Sequence, residues 1–264
     1  MQWHKNCANR TTVACGPAAK TLVQSEPRKM AIFGCPLDKH LEETDRVIPV
    51  VVETCVRELD KRGARVKGLY RICGVKSKIE KICEDFERDC CDLSQVHPTN
   101  IASVVKLYLR QLPEPLLTRS LYDSFLQIAK DYPQENTETC HLKDKIVAQF
   151  IETITELPKP NYDTLKFLIL HLKRMTWFEN ENQMNATNMG IVFGPSLIWR
   201  EEIGAPLNSL LEAPLQTRLV ELLIRYAYDI CEVNQKQEML EFYERSGGAH
   251  LHRPASMTDT AHFR

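Results

Sequence analysis

Three stretches of this chain hold residue types whose spacing suggests chemistry. The first is Lys67-Gly68-Leu69-Tyr70-Arg71-Ile72-Cys73-Gly74, in which one arginine stands between two glycines and beside apolar neighbours. Glycine permits unusual backbone angles and the close approach of another surface. An arginine on such a loop can project outward, and its fork of donors suits phosphate oxygens. An arginine in a tight loop can equally serve structure alone, so this stretch by itself leaves both readings open. The second is Lys106 and Arg110, four residues apart and hence on one helical face. Two cations there can anchor an acidic partner or orient a loop; an ordinary solvated face is the alternative. The third runs from Met184 to Pro195, where Asn188 is set among small and apolar residues ahead of a Gly194-Pro195 helix end. A buried asparagine needs hydrogen-bond partners. Asn188 either bonds nearby backbone or presents its amide to another molecule.

Several self-contained chemistries are missing. The chain has no G-x-x-x-x-G-K-[ST] loop, so it is not itself a P-loop nucleotide hydrolase. It has no H-E-x-x-H, no G-x-S-x-G and no G-x-G-x-x-G. No Cys/His pairing stands out as nucleophile and base. Any catalysis here is not of the kind these motifs announce.

The elements that must position the three stretches read as helices. From Asp45 to Leu59, Ile48, Val51, Val52, Cys55, Val56 and Leu59 form an i, i+3, i+4 stripe. Pro49 suits the first turn of that helix and Gly63 its stop. Further stripes pass through Ile79 to Phe86, Ile101 to Leu112, Leu121 to Ile128, Ile146 to Leu157 and Leu165 to Leu172. Leu112-Pro113-Glu114-Pro115 ends the stripe from Ile101 to Leu112. Asn185 is placed to cap a helix carrying Met189, Val192 and Phe193, and a last stripe runs from Leu215 to Tyr226. Strand alternation is nearly absent. The expected fold is an all-α bundle of about eight or nine helices.

Composition sets the bounds around that bundle. A chain of 264 residues fits one large domain with ragged ends. Lys plus Arg number 34 against 35 Asp plus Glu, a formal charge of -1, which argues against a phosphate-tracking nucleic-acid binder. No apolar run approaches a membrane span, and Met1-Gln2-Trp3-His4 opens no signal region, so a cytoplasmic location is expected. The ten cysteines are then expected to be reduced thiols. Cys55, Cys73 and Cys83 read as helix-face residues in apolar surroundings, and Cys90-Cys91 as a pair in a polar turn. Three zones follow: residues 1–30 without helical period, a domain over 31–232, and an extension over 233–264 that is largely a disordered tail.

Taken together, the three stretches resemble the signature blocks of the RhoGAP domain. The blocks are Gly68-Leu69-Tyr70-Arg71-x-x-Gly74, Lys106-Leu107-Tyr108-Leu109-Arg110-Gln111-Leu112-Pro113-Glu114-Pro115-Leu116 and Asn188-Met189-Gly190-Ile191-Val192-Phe193-Gly194-Pro195. Their order and spacing fit the family over about residues 31–232. The family is a helical bundle that accelerates GTP hydrolysis by Rho-type small GTPases. The resemblance implies that Arg71 is an arginine finger supplied in trans. It implies that Arg110 helps hold the finger loop, that Lys106 lies at the GTPase-facing surface, that Asn188 contacts the GTPase near its switch region, and that Pro195 closes the third block. Met189-Gly190 stands where many members have Leu-Ala. No cofactor of the chain's own is implied: GTP and magnesium belong to the partner, a Rho-family GTPase in its GTP-bound state. A scaffold that docks on the switch regions without accelerating hydrolysis is the alternative.

The N-terminal stretch adds a second resemblance. His4-x-x-Cys7-x₇-Cys15 is similar to the end of a diacylglycerol/phorbol-type zinc module, which binds two zinc ions with residues from both of its ends. The upstream ligands are not in this sequence, so no bound metal is expected in this chain, and membrane recruitment would belong to a longer form. Gly74 to Cys83, with Leu93-Ser94-Gln95 and the Lys106 block, resembles the Gem-interacting protein group. That group carries the zinc module before the RhoGAP domain and acts mainly on Rho. The chimaerins share this order and act on Rac; the first group is the favoured relative.

Overall fold

Prolines and one asparagine set where the main helices begin. Pro36, Pro49 and Pro158 stand directly before α1 (Leu37–Thr44), α2 (Val50–Arg62) and α7 (Lys159–Thr176), each with φ near the fixed proline value. Pro98 opens α4 (Pro98–Gln111), and the side chain of His97 before it accepts the Thr99 N–H. Asn185 caps α9 (Ala186–Leu197) by accepting the Asn188 N–H at 2.8 Å, as the sequence predicts. The remaining helices are α3 (Lys76–Glu87), α5 (Tyr122–Asp131), α6 (Cys140–Thr155), α8 (Glu179–Asn182), α10 (Leu207–Arg225), α11 (Ala227–Ile230) and α12 (Gln235–Arg245). This is a computed structural model that describes residues 31–133, 140–200 and 207–245.

Among the described residues every regular element is helical, so the all-α expectation holds. The long stripes read from the sequence are α2 to α7, α9 and α10. Four elements escaped that reading. The helices α8 and α11 are single turns too short to show a period, and α1 and α12 are polar with few apolar anchors.

The core forms where α2 lies against α4 and α7, and where α9 is covered by α10 while also meeting α4 and α7. Val51, Val52, Cys55, Val56 and Leu59 of α2 are fully buried, as are Ile101, Val104, Val105 and Leu109 of α4. Burying side chains of this size stabilises by about 1.5–3 kcal/mol each. The helices α9 and α10 approach closely at Gly190 and Gly194. A Cβ at Gly190 would strike the Thr217 carbonyl oxygen of α10.

Two sequence expectations change here. Pro195 does not end its helix; α9 continues through it to Leu197. Cys73 is exposed in the loop before α3 rather than on a buried helix face, whereas Cys55 is buried and Cys83 half-buried. At the start of the C-terminal extension α12 inserts Phe242 fully buried beside Trp177 and Phe178, with ring centroids 5.5 Å and 6.0 Å away. His4, Cys7 and Cys15, and the tail from 246 to 264, lie outside the described residues.

On an exposed helix Gly→Ala stabilises by about 1 kcal/mol. Gly190→Ala should instead destabilise, by about 1–3 kcal/mol, because α10 must move away. Urea unfolding measures the sign; a stabilised variant would contradict the packing described.

Candidate functional site

The loop from Gly63 to Val75 joins α2 to α3 and is tied down along its length. The Gly68 N–H donates to the Asn182 carbonyl at 2.7 Å, and the Gly68 carbonyl accepts from the N–H groups of Arg71 (2.9 Å) and Ile72 (2.8 Å). At the far end the Gly74 N–H donates to Ser103 Oγ and the Val75 N–H to Asn100 Oδ1, both at 2.9 Å. Gly74 must be glycine, since a Cβ would collide with the Asn100 side chain. Thus one face of α4, at 100 and 103, forms the floor of the loop.

Tyr70 is the strained residue. Its φ is +70°, a left-handed conformation uncommon for a bulky side chain and costing on the order of 1–3 kcal/mol. Three contacts hold it. Its ring sits edge-on to Phe193 of α9, with centroids 4.8 Å apart. Its hydroxyl lies 2.6 Å from His171 Nε2 of α7. Its carbonyl accepts a hydrogen bond from Lys106 Nζ. With Tyr70 turned inward and fully buried, the next residue is turned out. Arg71 is exposed, and none of the described residues pairs with its guanidinium.

Of the two helix cations it is Lys106, not Arg110, that bonds the loop carrying Arg71. Lys106 is only 7% exposed and donates to the Tyr70 carbonyl beneath Arg71. Burial, and then the neighbouring Arg110, hold its ammonium pKa below the ordinary lysine value. Arg110 lies one turn further along α4, past the loop. It is exposed, and its Nε donates to Ser196 Oγ of α9 at 3.0 Å. The reason is geometric: the loop crosses α4 at 100, 103 and 106 and does not extend to 110.

Asn188 is half-buried. Its Nδ2 donates to the Gln183 carbonyl at 3.0 Å, so that side of the amide serves nearby backbone. Pro195 is exposed on α9, and its ring nitrogen gives the Ile191 carbonyl no donor. Ile72, Val75 and Ile191 are large apolar side chains left 49%, 60% and 58% exposed on the loop and α9. The fold therefore brings all three sequence blocks together around Tyr70 and α9, with Arg71 outermost.

Two groups of supporting residues were missed by the sequence reading. Asn182 is fully buried and saturated: Nδ2 donates to the Ala64 and Met175 carbonyls, both at 2.8 Å, and Oδ1 accepts the Met184 N–H at 2.7 Å. It fixes the turn that receives Gly68. His171 is also fully buried, with Nδ1 2.6 Å from Asp60 Oδ1. Burial pushes the His171 pKa down, against the pull of Asp60, so the ring is neutral. Burial pushes the Asp60 carboxyl up, but His171 and Arg174 beside it more than offset this and hold it ionised. Both residues lie inside helical stripes where nothing local marks them.

Residues 49–202 match the profile of the RhoGAP domain. The chain is 36% identical over 248 residues to Rho GTPase-activating protein 29 of Danio rerio, a match covering 87% of this chain and 18% of that protein. It is 36% identical over 238 residues to Rho GTPase-activating protein 45 of Xenopus laevis, covering 84% and 21%. The chain thus spans about a fifth of the length of these curated relatives. Among solved structures, human Rho GTPase activating protein 15 superposes with a TM-score of 0.68 at 27% identity, over 82% of this chain and 99% of that one. The BH domain from GRAF, the GTPase regulator associated with focal adhesion kinase, gives 0.59 at 27% identity, over 69% and 93%.

The neutral His171 has a consequence for stability. Its pKa is depressed in the folded chain and ordinary, about 6.5, in the unfolded one. As pH falls below 6.5 the unfolded chain binds the proton first, so stability present above that pH is lost below it. His40, buried against the Tyr108 hydroxyl, shifts in the same direction. Urea midpoints should therefore drop between about pH 7.5 and about pH 5.5, and His171→Gln should shrink that drop. An unchanged pH slope in the variant would contradict a neutral, buried His171.

Proposed function

This chain belongs to the RhoGAP domain family, and we propose that it accelerates GTP hydrolysis by a Rho-family small GTPase, with Arg71 as the finger supplied in trans. The observation that carries the reading is an exposed guanidinium, unpaired among the described residues, on a loop whose backbone is held at Gly68, Tyr70, Gly74 and Val75. As the terminal phosphoryl group transfers, charge accumulates on its oxygens. A guanidinium that arrives already oriented stabilises that charge without reorganisation at the moment of reaction. Fingers of this type contribute on the order of 10³ to 10⁵ in rate, roughly 4 to 7 kcal/mol of barrier. The nucleotide, magnesium and water-orienting glutamine are the partner's. That division explains why the sequence contains no complete active site.

The other residues take supporting roles in this reading. Lys106 keeps the finger loop in place from below. Arg110, Asn188 and Pro195, with the exposed Ile72, Val75 and Ile191, form the face offered to the partner's switch regions. Rho is the favoured partner over Rac, and a cytoplasmic setting is proposed. The spacing of His4, Cys7 and Cys15 supports a zinc-module remnant before the domain, as in the Gem-interacting protein group.

Single-turnover phosphate release from a panel of GTP-loaded Rho, Rac and related GTPases tests the reading. The chain should accelerate at least one Rho-type member. Arg71→Ala should lose about 10³-fold or more of that acceleration while binding the GTP-loaded partner within about threefold. Acceleration unaffected by Arg71→Ala would overturn the finger assignment. Binding without acceleration by the wild-type chain would leave a docking scaffold instead.

A further inference from the structure

A line of hydrogen bonds leads from the finger loop through the middle of the domain to the last described helix. It begins at the Tyr70 hydroxyl, 2.6 Å from His171 Nε2. It continues from His171 Nδ1 to Asp60 Oδ1, also 2.6 Å. Arg174, one turn along α7, donates to Asp60 Oδ2 from Nη2 at 2.6 Å and to Oδ1 from Nε at 3.3 Å. Its Nη1 donates to Glu238 Oε1 at 2.5 Å. Glu238 belongs to α12, which one turn later buries Phe242 against Trp177 and Phe178. Arg245 adds a longer ion pair to Glu238 at 3.7 Å.

One assignment of protons satisfies every member. The His171 Nδ1–H donates to the Asp60 carboxylate, and Nε2 accepts the Tyr70 O–H. Charges then alternate along the line: negative at Asp60, positive at Arg174, negative at Glu238. Arg174 is 4% exposed, Glu238 11% and Asp60 14%, so the pairs act with little screening. Loss of the Glu238 charge leaves Arg174 to Asp60 alone. Asp60 is drawn toward the guanidinium and gives less to the His171 Nδ1–H, which weakens Nε2 as an acceptor for Tyr70. Asp60 and Arg174 also line a cleft of about 540 Å³, so loosening α12 admits water to the line.

We propose that α12 is a positioning element for the finger loop: Glu238 acts through Arg174, Asp60 and His171 on the Tyr70 hydroxyl, and so on the backbone that aims Arg71. The helix lies beyond residues 49–202 that the family profile covers. The inference rests on the reading of Arg71 given above. It extends the functional unit to residue 245 and makes the docking of α12 a determinant of how firmly the finger is held.

Two readouts separate this inference from that reading. The Arg71 and Ile72 amides both donate to the Gly68 carbonyl, so their hydrogen exchange reports loop closure with no partner present. In the full chain, Glu238→Gln should speed their exchange about three- to tenfold, the scale of one weakened hydrogen bond, and leave the α10 core amides unchanged. The maximal stimulated rate of GTP hydrolysis should fall by a similar factor, with the half-saturating concentration unaltered. Tyr70→Phe, which removes only a hydroxyl and keeps the ring, should speed the same amides even if Glu238→Gln fails to fold. In the Tyr70→Phe background Glu238→Gln should add nothing further. Unchanged exchange in either variant, or effects of the two that simply add, would overturn the coupling. If the wild-type chain activates no GTPase, the reading of Arg71 fails, while the exchange data still decide whether α12 governs the loop.

Discussion

The structure turns on a buried ammonium meeting a single carbonyl. Lys106 Nζ donates to the oxygen of Tyr70, and Tyr70 sits in a left-handed conformation that a bulky residue does not adopt without restraint. The two facts depend on each other. The turn at Tyr70 directs its carbonyl down onto α4 and its ring into the core, and that same turn sends Arg71 outward. Taking Lys106 out of water costs free energy that is recovered only if a strong acceptor waits for it. Here the acceptor is supplied by the strained residue itself, so strain and desolvation are both met by one charge-assisted hydrogen bond.

Rigidity at this point suits the proposed chemistry. Arg71 must reach another molecule's phosphate oxygens in a fixed pose, and misplacement by a fraction of an ångström costs rate. Among the described residues none pairs with its side chain, but the backbone beneath it is held by the Gly68 carbonyl, by Asn100 and Ser103 on α4, and by the Tyr70 ring against Phe193. Freedom is confined to the side chain that has to make the new contact. Order in the loop is established before any partner arrives, which lowers the entropy to be lost on docking.

Much of this was legible in the sequence. The long helices show their period because their apolar faces pair with one another, and the three chemical blocks are marked by unusual residues beside glycines and prolines. What escaped shares a cause. Tyr70 and His171, His171 and Asp60, and Asp60 and Arg174 are 101, 111 and 114 residues apart in the chain, and such bonds leave no local pattern. That Lys106 rather than Arg110 bonds the loop has the same origin. Both lie on one face of α4, and only the crossing point of the loop decides which of them is covered. The helix α12 escaped because one aromatic anchor, Phe242, holds an otherwise polar segment.

The central claim is that Arg71 supplies positive charge where it is needed only during reaction. The most direct measurement is the affinity of the chain for a Rho-family GTPase carrying GDP with a planar phosphoryl mimic, compared with the same GTPase carrying a non-hydrolysable GTP analogue. The account predicts tighter binding to the first by about 10²-fold or more, with that preference abolished by Arg71→Ala and ordinary binding retained. Equal affinity of the wild-type chain for the two forms would contradict it.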